Sequence, residues 1–285
     1  MSELEKCAVC RQPLNPGMRQ CVNRKCRVWN VRASVISPDE STVLLSDARM
    51  GRVERVKTGL VDLVWGGGIA KTSVTQMGGE PGAGKTTLCL QLCDVFAEKV
   101  PDREALYIAN EQDATELKDT AERLTLRHKN RIRIVKAMGG IPNDLGDLVL
   151  HFKPSLIILD SVTKWTGEDL PLAVLIAQRM KDYTVRLNAP TILINQITKG
   201  GDLAGLKALE HAVDMACIFE ILEEETDKQG NPLPKNQSPR RLMSRKNRFG
   251  PAPEEQFYSM TGEGLTECWP LEMGWTGERP PYSVE

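Results

Sequence analysis

Residues Gly79-Glu80-Pro81-Gly82-Ala83-Gly84-Lys85-Thr86 match G-x-x-x-x-G-K-[ST] in full. No other stretch of the chain restricts its fold as strongly. In such a loop the glycines let the backbone curl until successive N–H groups converge on phosphate oxygens. The helix that follows points its positive end at the same anion. Lys85 is placed to neutralise the terminal phosphates, and the Thr86 hydroxyl to hold Mg²⁺. The context fits: Val74–Met77 reads as a strand before the loop, and Thr86 to about Glu98 as an apolar helix after it. Gly79 through Thr86, with Thr87 behind them, are therefore the candidate nucleotide-binding residues.

The rest of the chain supports an α/β fold. Ala105–Ala109 reads as a strand, and Asp113–Leu126 as a helix with Asp113 and Glu116 in capping-box spacing. Ile132 and Ile134 alternate as in a strand. Ser155–Asp160 (SLIILD) is a continuous apolar run ending in an acid, as in a buried central strand. Leu172–Leu187 reads as a helix, and Thr191–Asn195, Met215–Leu222 and Leu242–Lys246 as strands. The polar Pro/Gly-rich stretch 228–239 reads as a hairpin tip. Alternating elements of this kind form a mainly parallel sheet flanked by helices. Such a sheet brings its acids to the carboxyl edge of the strands, beside the phosphate loop. Asp160 is the candidate second acid for the metal, and Glu111 the carboxylate that polarises water for attack on the γ-phosphate.

Composition limits the partners. The 285 residues are 41% hydrophobic and 26% charged with a net charge of -1, so the chain is not generally disordered and not uniformly basic. No apolar run approaches the ~18 residues of a membrane span, and MSELEKCAVC has no apolar signal core. A cytoplasmic protein without a membrane partner is expected. Of eight cysteines, Cys89, Cys93, Cys217 and Cys268 sit among apolar neighbours and are expected to pack as small hydrophobes. Cys7, Cys10, Cys21 and Cys26 form two close pairs, C-x2-C and C-x4-C, able to close a tetrahedron around Zn²⁺ at ~2.3 Å per bond. Redox-active thiols or an iron–sulfur cluster are the alternatives. The expected organisation is a zinc-binding knuckle at 1–35, a linker at 36–57, an ATPase core at 58–272 and a tail at 273–285.

Taken together, TG…GGG…GGEPGAGKTT, YIANE, LIILD, INQITKGGDLAGLKALEHAVD and the pentad Lys246-Asn247-Arg248-Phe249-Gly250 resemble the RecA superfamily, and within it the RadA/Sms DNA-repair ATPases. The resemblance covers residues 5 to 268. It implies a RecA-like ATPase core behind a four-Cys zinc element, using ATP, Mg²⁺ and Zn²⁺ and assembling as a hexameric ring or a filament on DNA. Lys85 and Thr86 then resemble the phosphate and Mg²⁺ ligands, Glu111 the catalytic glutamate, and Asp160 the Walker B acid. Gln196 resembles the glutamine that senses the γ-phosphate. Lys246 and Arg248 resemble cations that reach the neighbouring subunit's nucleotide. Arg240, Arg241 and Arg245 keep the simpler reading of a solvated basic strand.

The chain departs from the RadA pattern in three ways. The second cysteine pair is wider than the family's x2. Asn195-Gln196 stands where a His-containing sequence is usual. The sequence given stops near where a Lon-protease-like domain would begin. For DNA, the loop with Lys199, Gly200 and Gly201, the following Lys207, and Lys164 in a second loop at Thr163–Gly167 are the candidate contacts, while Trp165 beside it is open to two readings, stacking on a base or burial in a subunit interface. The contacts fit sequence-independent, salt-sensitive binding of single strands. The leading expectation is a single-strand-stimulated ATPase, with 5'-3' helicase or translocase activity, in recombination, branch migration or fork processing. A nucleotide-switched assembly scaffold or helicase loader is the second reading, and a small-molecule kinase a weak third.

Overall fold

The structure, a computed structural model, describes residues 53–137, 145–167, 169–196, 209–222 and 238–268. The chain divides into two compact units at Arg52/Val53, and the described residues belong to the second. The zinc knuckle with Cys7, Cys10, Cys21 and Cys26 lies outside the described residues. So do Lys199, Gly200, Gly201, Lys207, most of the hairpin tip and the tail.

Two short strands, β1 (Arg55–Val56) and β2 (Ile69–Ala70), pair antiparallel. β1 thus belongs with the second unit, ahead of the expected core start at residue 58. β3 (Val74–Gly79) follows, with all six residues buried. Strands and helices then alternate: α1 (Lys85–Lys99), β4 (Ala105–Ala109), α2 (Ala114–Arg123), β5 (Ile132–Lys136), α3 (Leu145–Phe152), β6 (Leu156–Asp160), α4 (Val162–Thr166), α5 (Leu170–Leu187), β7 (Thr191–Gln196) and β8 (Met215–Ile221). β9 (Ser238–Asn247), β10 (Glu255–Thr261) and β11 (Gly264–Cys268) complete the described chain.

The large sheet has nine strands in the order β11-β10-β9-β8-β3-β7-β6-β4-β5. From β5 to β8 all neighbours are parallel, and from β8 to β11 all are antiparallel. Strand alternation sets the layers. Tyr107, Ile158, Ile192 and Ile194 face α1, where Leu88, Cys89, Leu92, Cys93 and Phe96 are fully buried. Leu106, Ile108, Ile157, Leu159 and Leu193 face the other way, against Ala173, Ile176, Ala177 and Met180 of α5. Asp160 is two residues beyond Ile158, so the pleat turns it to the α1 side, where the phosphate loop lies.

The expected elements are present with shifted ends. α2 carries the anticipated capping box: Asp113 Oδ1 accepts from Thr115 N at 2.7 Å and Glu116 N at 2.9 Å, and Glu116 Oε2 accepts from Asp113 N at 3.2 Å. It stops at Arg123 rather than Leu126, because Thr125 turns into the left-handed region. The expected loop at Thr163–Gly167 is instead the short helix α4, with Ser161 Oγ accepting from Lys164 N and Gly167 closing it. The stretch 238–239 forms the start of β9 rather than a hairpin tip. β10 and β11 were not expected, since their burial is partial and Pro251 and Pro253 precede them.

Candidate nucleotide-binding site

β3 delivers the chain to the carboxyl edge of the sheet, and the loop Glu80–Gly84 turns it into α1. Gly84 is the N-cap, at φ 104°, a left-handed conformation that a side chain would strain, and no side chain caps the helix. The first N–H groups of α1 thus remain available to an anion. Lys85 is buried and folds back on the loop, its Nζ donating to Gly79 O at 2.7 Å and Glu80 O at 2.8 Å. Burial pulls its ammonium below the ordinary lysine range, while the charges of Asp160 and Glu111 pull it back up.

Asp160 ends β6 beside this loop. Its Oδ2 accepts from Thr86 Oγ1 at 3.0 Å and from Tyr107 Oη at 2.5 Å. Burial raises the Asp160 carboxyl, and the hydrogen bonds from Tyr107 and Thr86, with the charge of Lys85, oppose it. A hydroxyl and a carboxylate this close form a hard-oxygen donor pair that fits Mg²⁺ with phosphate oxygens. Asn110 ties the neighbouring strand ends together. Its backbone N donates to Asp160 O at 2.8 Å, its Oδ1 accepts from Ser161 N at 2.7 Å, and its Nδ2 donates to Ser161 O at 3.0 Å. That clamp places Glu111, the next residue, on the same edge. Glu111 Oε1 accepts from Gln196 Nε2 at 2.5 Å, and Gln196 N donates to Thr163 Oγ1 at 3.2 Å. The structure therefore brings Lys85, Thr86, Glu111, Asp160 and Gln196 to one sheet edge from four different strand ends.

Arg240 corrects the reading of the basic strand. It is only 6% exposed, and it donates from Nε to Ala83 O at 2.9 Å and from Nη2 to Gly82 O at 3.4 Å. β9 alternates, with Arg240, Leu242 and Ser244 inward. Arg241 faces the other way and pairs with Glu220 at 2.7 Å and Glu255 at 3.5 Å, and Arg245 pairs with Glu210 at 3.1 Å. None of the three is simply solvated. Period-two alternation within RRLMS was the signal available in the sequence. For Tyr107 and Asn110 the sequence offered only their position near a strand end.

Lys246 and Arg248 lie at the opposite edge. Lys246 pairs with Ala216 near the start of β8, which runs parallel to β3, so it is far along the strand direction from the phosphate loop. Its Nζ donates to Val213 O at 2.8 Å and to Glu210 O. Arg248 N donates to Asp214 O at 3.0 Å, and Arg248 Nη1 lies 3.5 Å from Asp214 Oδ1. The same buried carboxylate accepts from Val74 N, at the start of β3, and from Lys181. A register irregularity between Ala216 and Cys217 leaves Arg245 unmatched and re-aims the strand just before Lys246. The turn beyond is fixed against the Gly66-Gly67-Gly68 run. Arg55 donates to Trp65 O, Gly68 O and Phe249 O, and Asn247 Nδ2 to Val64 O.

Lys164 is exposed on α4. Trp165 packs against the α5-side core and donates from Nε1 to Ala137 O at 3.2 Å. Cys89, Cys93, Cys217 and Cys268 are buried and form no disulfide, as expected of core residues. Among the described residues no cluster of three or more His, Cys, Asp or Glu could hold a metal, and no helix is long and apolar enough to cross a membrane.

Comparison with known proteins agrees with this architecture. Residues 56–260 match the family described as "ATPase: KaiC". The chain is similar to the DNA repair protein RadA of Aquifex aeolicus, 31% identical over 265 residues that cover 85% of this chain and 54% of that one. It is also similar to RadA of Chlamydia muridarum, 32% identical over 210 residues that cover 71% and 42% of the two chains. The chain spans about half the length of the curated relatives it matches. A crystal structure of a KaiC-like protein from Pyrococcus horikoshii shares the fold, with a TM-score of 0.60 at 17% identity, over 76% of this chain and all of that one. A phosphate loop, an acid at the end of an apolar strand and a mainly parallel sheet, matched over this span, place the chain in the KaiC-type ATPase family of the RecA superfamily, as a RadA-like member.

Proposed function

We propose that the protein is a DNA-stimulated ATPase motor of DNA repair whose nucleotide lies between two copies of the chain. The observation that carries this is the separation of Lys246 and Arg248 from the phosphate loop. The two cations sit at the amino edge of the parallel strands, and the nucleotide site at the carboxyl edge. They cannot serve their own site, and a copy stacked edge to edge brings them to the next one. Repetition of that head-to-tail contact closes a ring, of six copies by analogy with the superfamily, or extends as a filament.

In this reading the loop from Gly79 to Thr87 cradles the phosphates of ATP. Lys85 exchanges its bonds to Gly79 O and Glu80 O for the terminal phosphates. Thr86 and Asp160 would hold Mg²⁺, which when bound neutralises charge on the β- and γ-phosphates. Glu111 accepts a proton from the attacking water, and the neighbour's Lys246 and Arg248 stabilise the charge that develops. Gln196 exchanges Glu111 for the γ-phosphate and passes the change to the segment with Lys199, Gly200, Gly201 and Lys207, which with Lys164 tracks the backbone of single-stranded DNA. Cys7, Cys10, Cys21 and Cys26 bind Zn²⁺, the protein acts in the cytoplasm, and translocation or unwinding in recombination or fork processing follows from the cycle.

The test is turnover with and without single-stranded DNA at one low ionic strength. Stimulation is expected, and a rate unmoved by bound DNA overturns the reading. Lys246→Ala is expected to keep ATP binding and lose about 10²–10³-fold in turnover. A second reading, a nucleotide-switched scaffold or helicase loader that hydrolyses slowly, draws on the Gln196–Glu111 bond, which occupies the proton acceptor. A forked-DNA unwinding assay separates the two.

A further inference from the structure

The phosphate loop is suspended from two cations, and only one of them is free to leave. Lys85 holds the carbonyls of Gly79 and Glu80 from the nucleotide side. Arg240 holds the carbonyls of Gly82 and Ala83 from the side of the sheet. When Lys85 turns to phosphate its two loop bonds are given up, and the first half of the loop loses its tie. Phosphate makes no such demand on Arg240, which is buried, comes from a strand hydrogen-bonded on both sides, and also donates to its own neighbour Pro239 O at 3.2 Å.

We propose that Arg240 is a positioning residue for nucleotide binding, which keeps the Gly82 and Ala83 carbonyls turned away from the phosphates so that the loop's N–H groups face them. The proposal rests on the reading of Gly79–Thr86 as the ATP site. A peptide unit whose oxygen is held by a cation resists flipping. A bonded carbonyl also polarises the N–H of the same peptide, here that of Gly84, at the helix N-cap. The second forked bond explains why an arginine, with its planar set of donors, suits the place better than a lysine. Arg241, one residue on, has the same charge but its Glu220 and Glu255 partners lie on the other face of β9, so it provides an internal control.

The experiment is titration of the full chain with a fluorescent ATP analogue, with parallel steady-state ATPase and thermal melts, for wild type, R240M, R240K and R241M. Bonds to a charged donor of this kind predict a dissociation constant raised about 10–100-fold in R240M. R240K, which keeps the charge but reaches one carbonyl, should fall between R240M and wild type. KM should rise with little change in kcat, and R241M should bind as wild type does. Unchanged affinity in folded R240M, whatever its melting temperature, overturns the proposal. If R240M does not fold, R240K decides alone: wild-type affinity refutes, and weakened affinity with an intact melt supports. A wild-type chain that does not bind the analogue would instead refute the ATP site itself.

Discussion

Gly250→Ala isolates the turn that carries the cations of the amino edge. Gly250 is not in the left-handed region, so alanine suits its backbone, but the added Cβ would stand 2.9 Å from Gly66 Cα and 3.1 Å from Asn247 Nδ2. Carbon contacts settle at about 3.5–4.0 Å. The two backbones must therefore part by roughly 0.6–1 Å, against the ties from Arg55 and Asn247 that hold them together. Overpacking of this sort costs about 1–3 kcal/mol, which in a domain of this size lowers Tm by about 2–12 °C. A displacement near 1 Å of Lys246 and Arg248 costs about 10²-fold in turnover if they meet the neighbour's nucleotide. ATP affinity should not change, because the phosphate loop is at the other edge. Gly262→Ala is the matched control, since its Cβ meets nothing within 4 Å and needs no special backbone. The assays are melting, ATP titration and DNA-stimulated turnover on both variants. A lowered Tm with full turnover refutes the catalytic role of the turn, and an unchanged Tm refutes the packing argument.

Other outcomes follow from the site. Burial depresses Lys85, so between its folded pKa and the unfolded value near 10.5 the folded chain binds fewer protons there than the unfolded chain. Its contribution to stability therefore rises with pH in that window, while the ammonium that ATP needs is lost. ATP affinity should decline as pH climbs from neutral toward 10.5, and Lys85→Met should bind weakly with a flatter profile in the same titration. Glu111→Gln should bind ATP and Mg²⁺ normally but lose at least about 10²-fold in turnover, and a variant that still cycles would assign the proton acceptor elsewhere. Burial pushes the thiols of Cys89, Cys93 and Cys217 up, so peptide mapping after alkylation of the native protein should find all three unmodified, and labelled peptides would refute the packing of α1 for the first two and of β8 for the third.

Much of this architecture could be read locally, because each of its signals is short. Gly79–Thr86 is contiguous, LIILD carries its acid at its end, and the capping box at Asp113 spans four residues. Glu111 could be placed because a parallel sheet gathers strand ends on one edge. Arg240 is hidden from a local reading for the opposite reason. A run of five basic residues between 240 and 248 looks solvated until β10 pairs along it and decides which alternate side chains turn inward. β10 and β11 leave little trace in the sequence because an outer antiparallel strand needs only partial burial, and α4 leaves little because five residues carry no helical period. The meeting of Gly66 with Gly250 joins positions 184 residues apart, beyond the reach of any local pattern.

β9 has one more consequence. Arg240 grips this copy's own phosphate loop, and Lys246, about 20 Å further along the same extended strand, stands at the amino edge, where the proposed assembly would set the copy next door. A hydrogen-bonded strand in mid-sheet is stiff along its length. In a closed circle of subunits these rods would run end to end, each one starting under one ATP and finishing at another. Occupancy at any seam would then push on the seam beyond it, and firing in order would require no additional part.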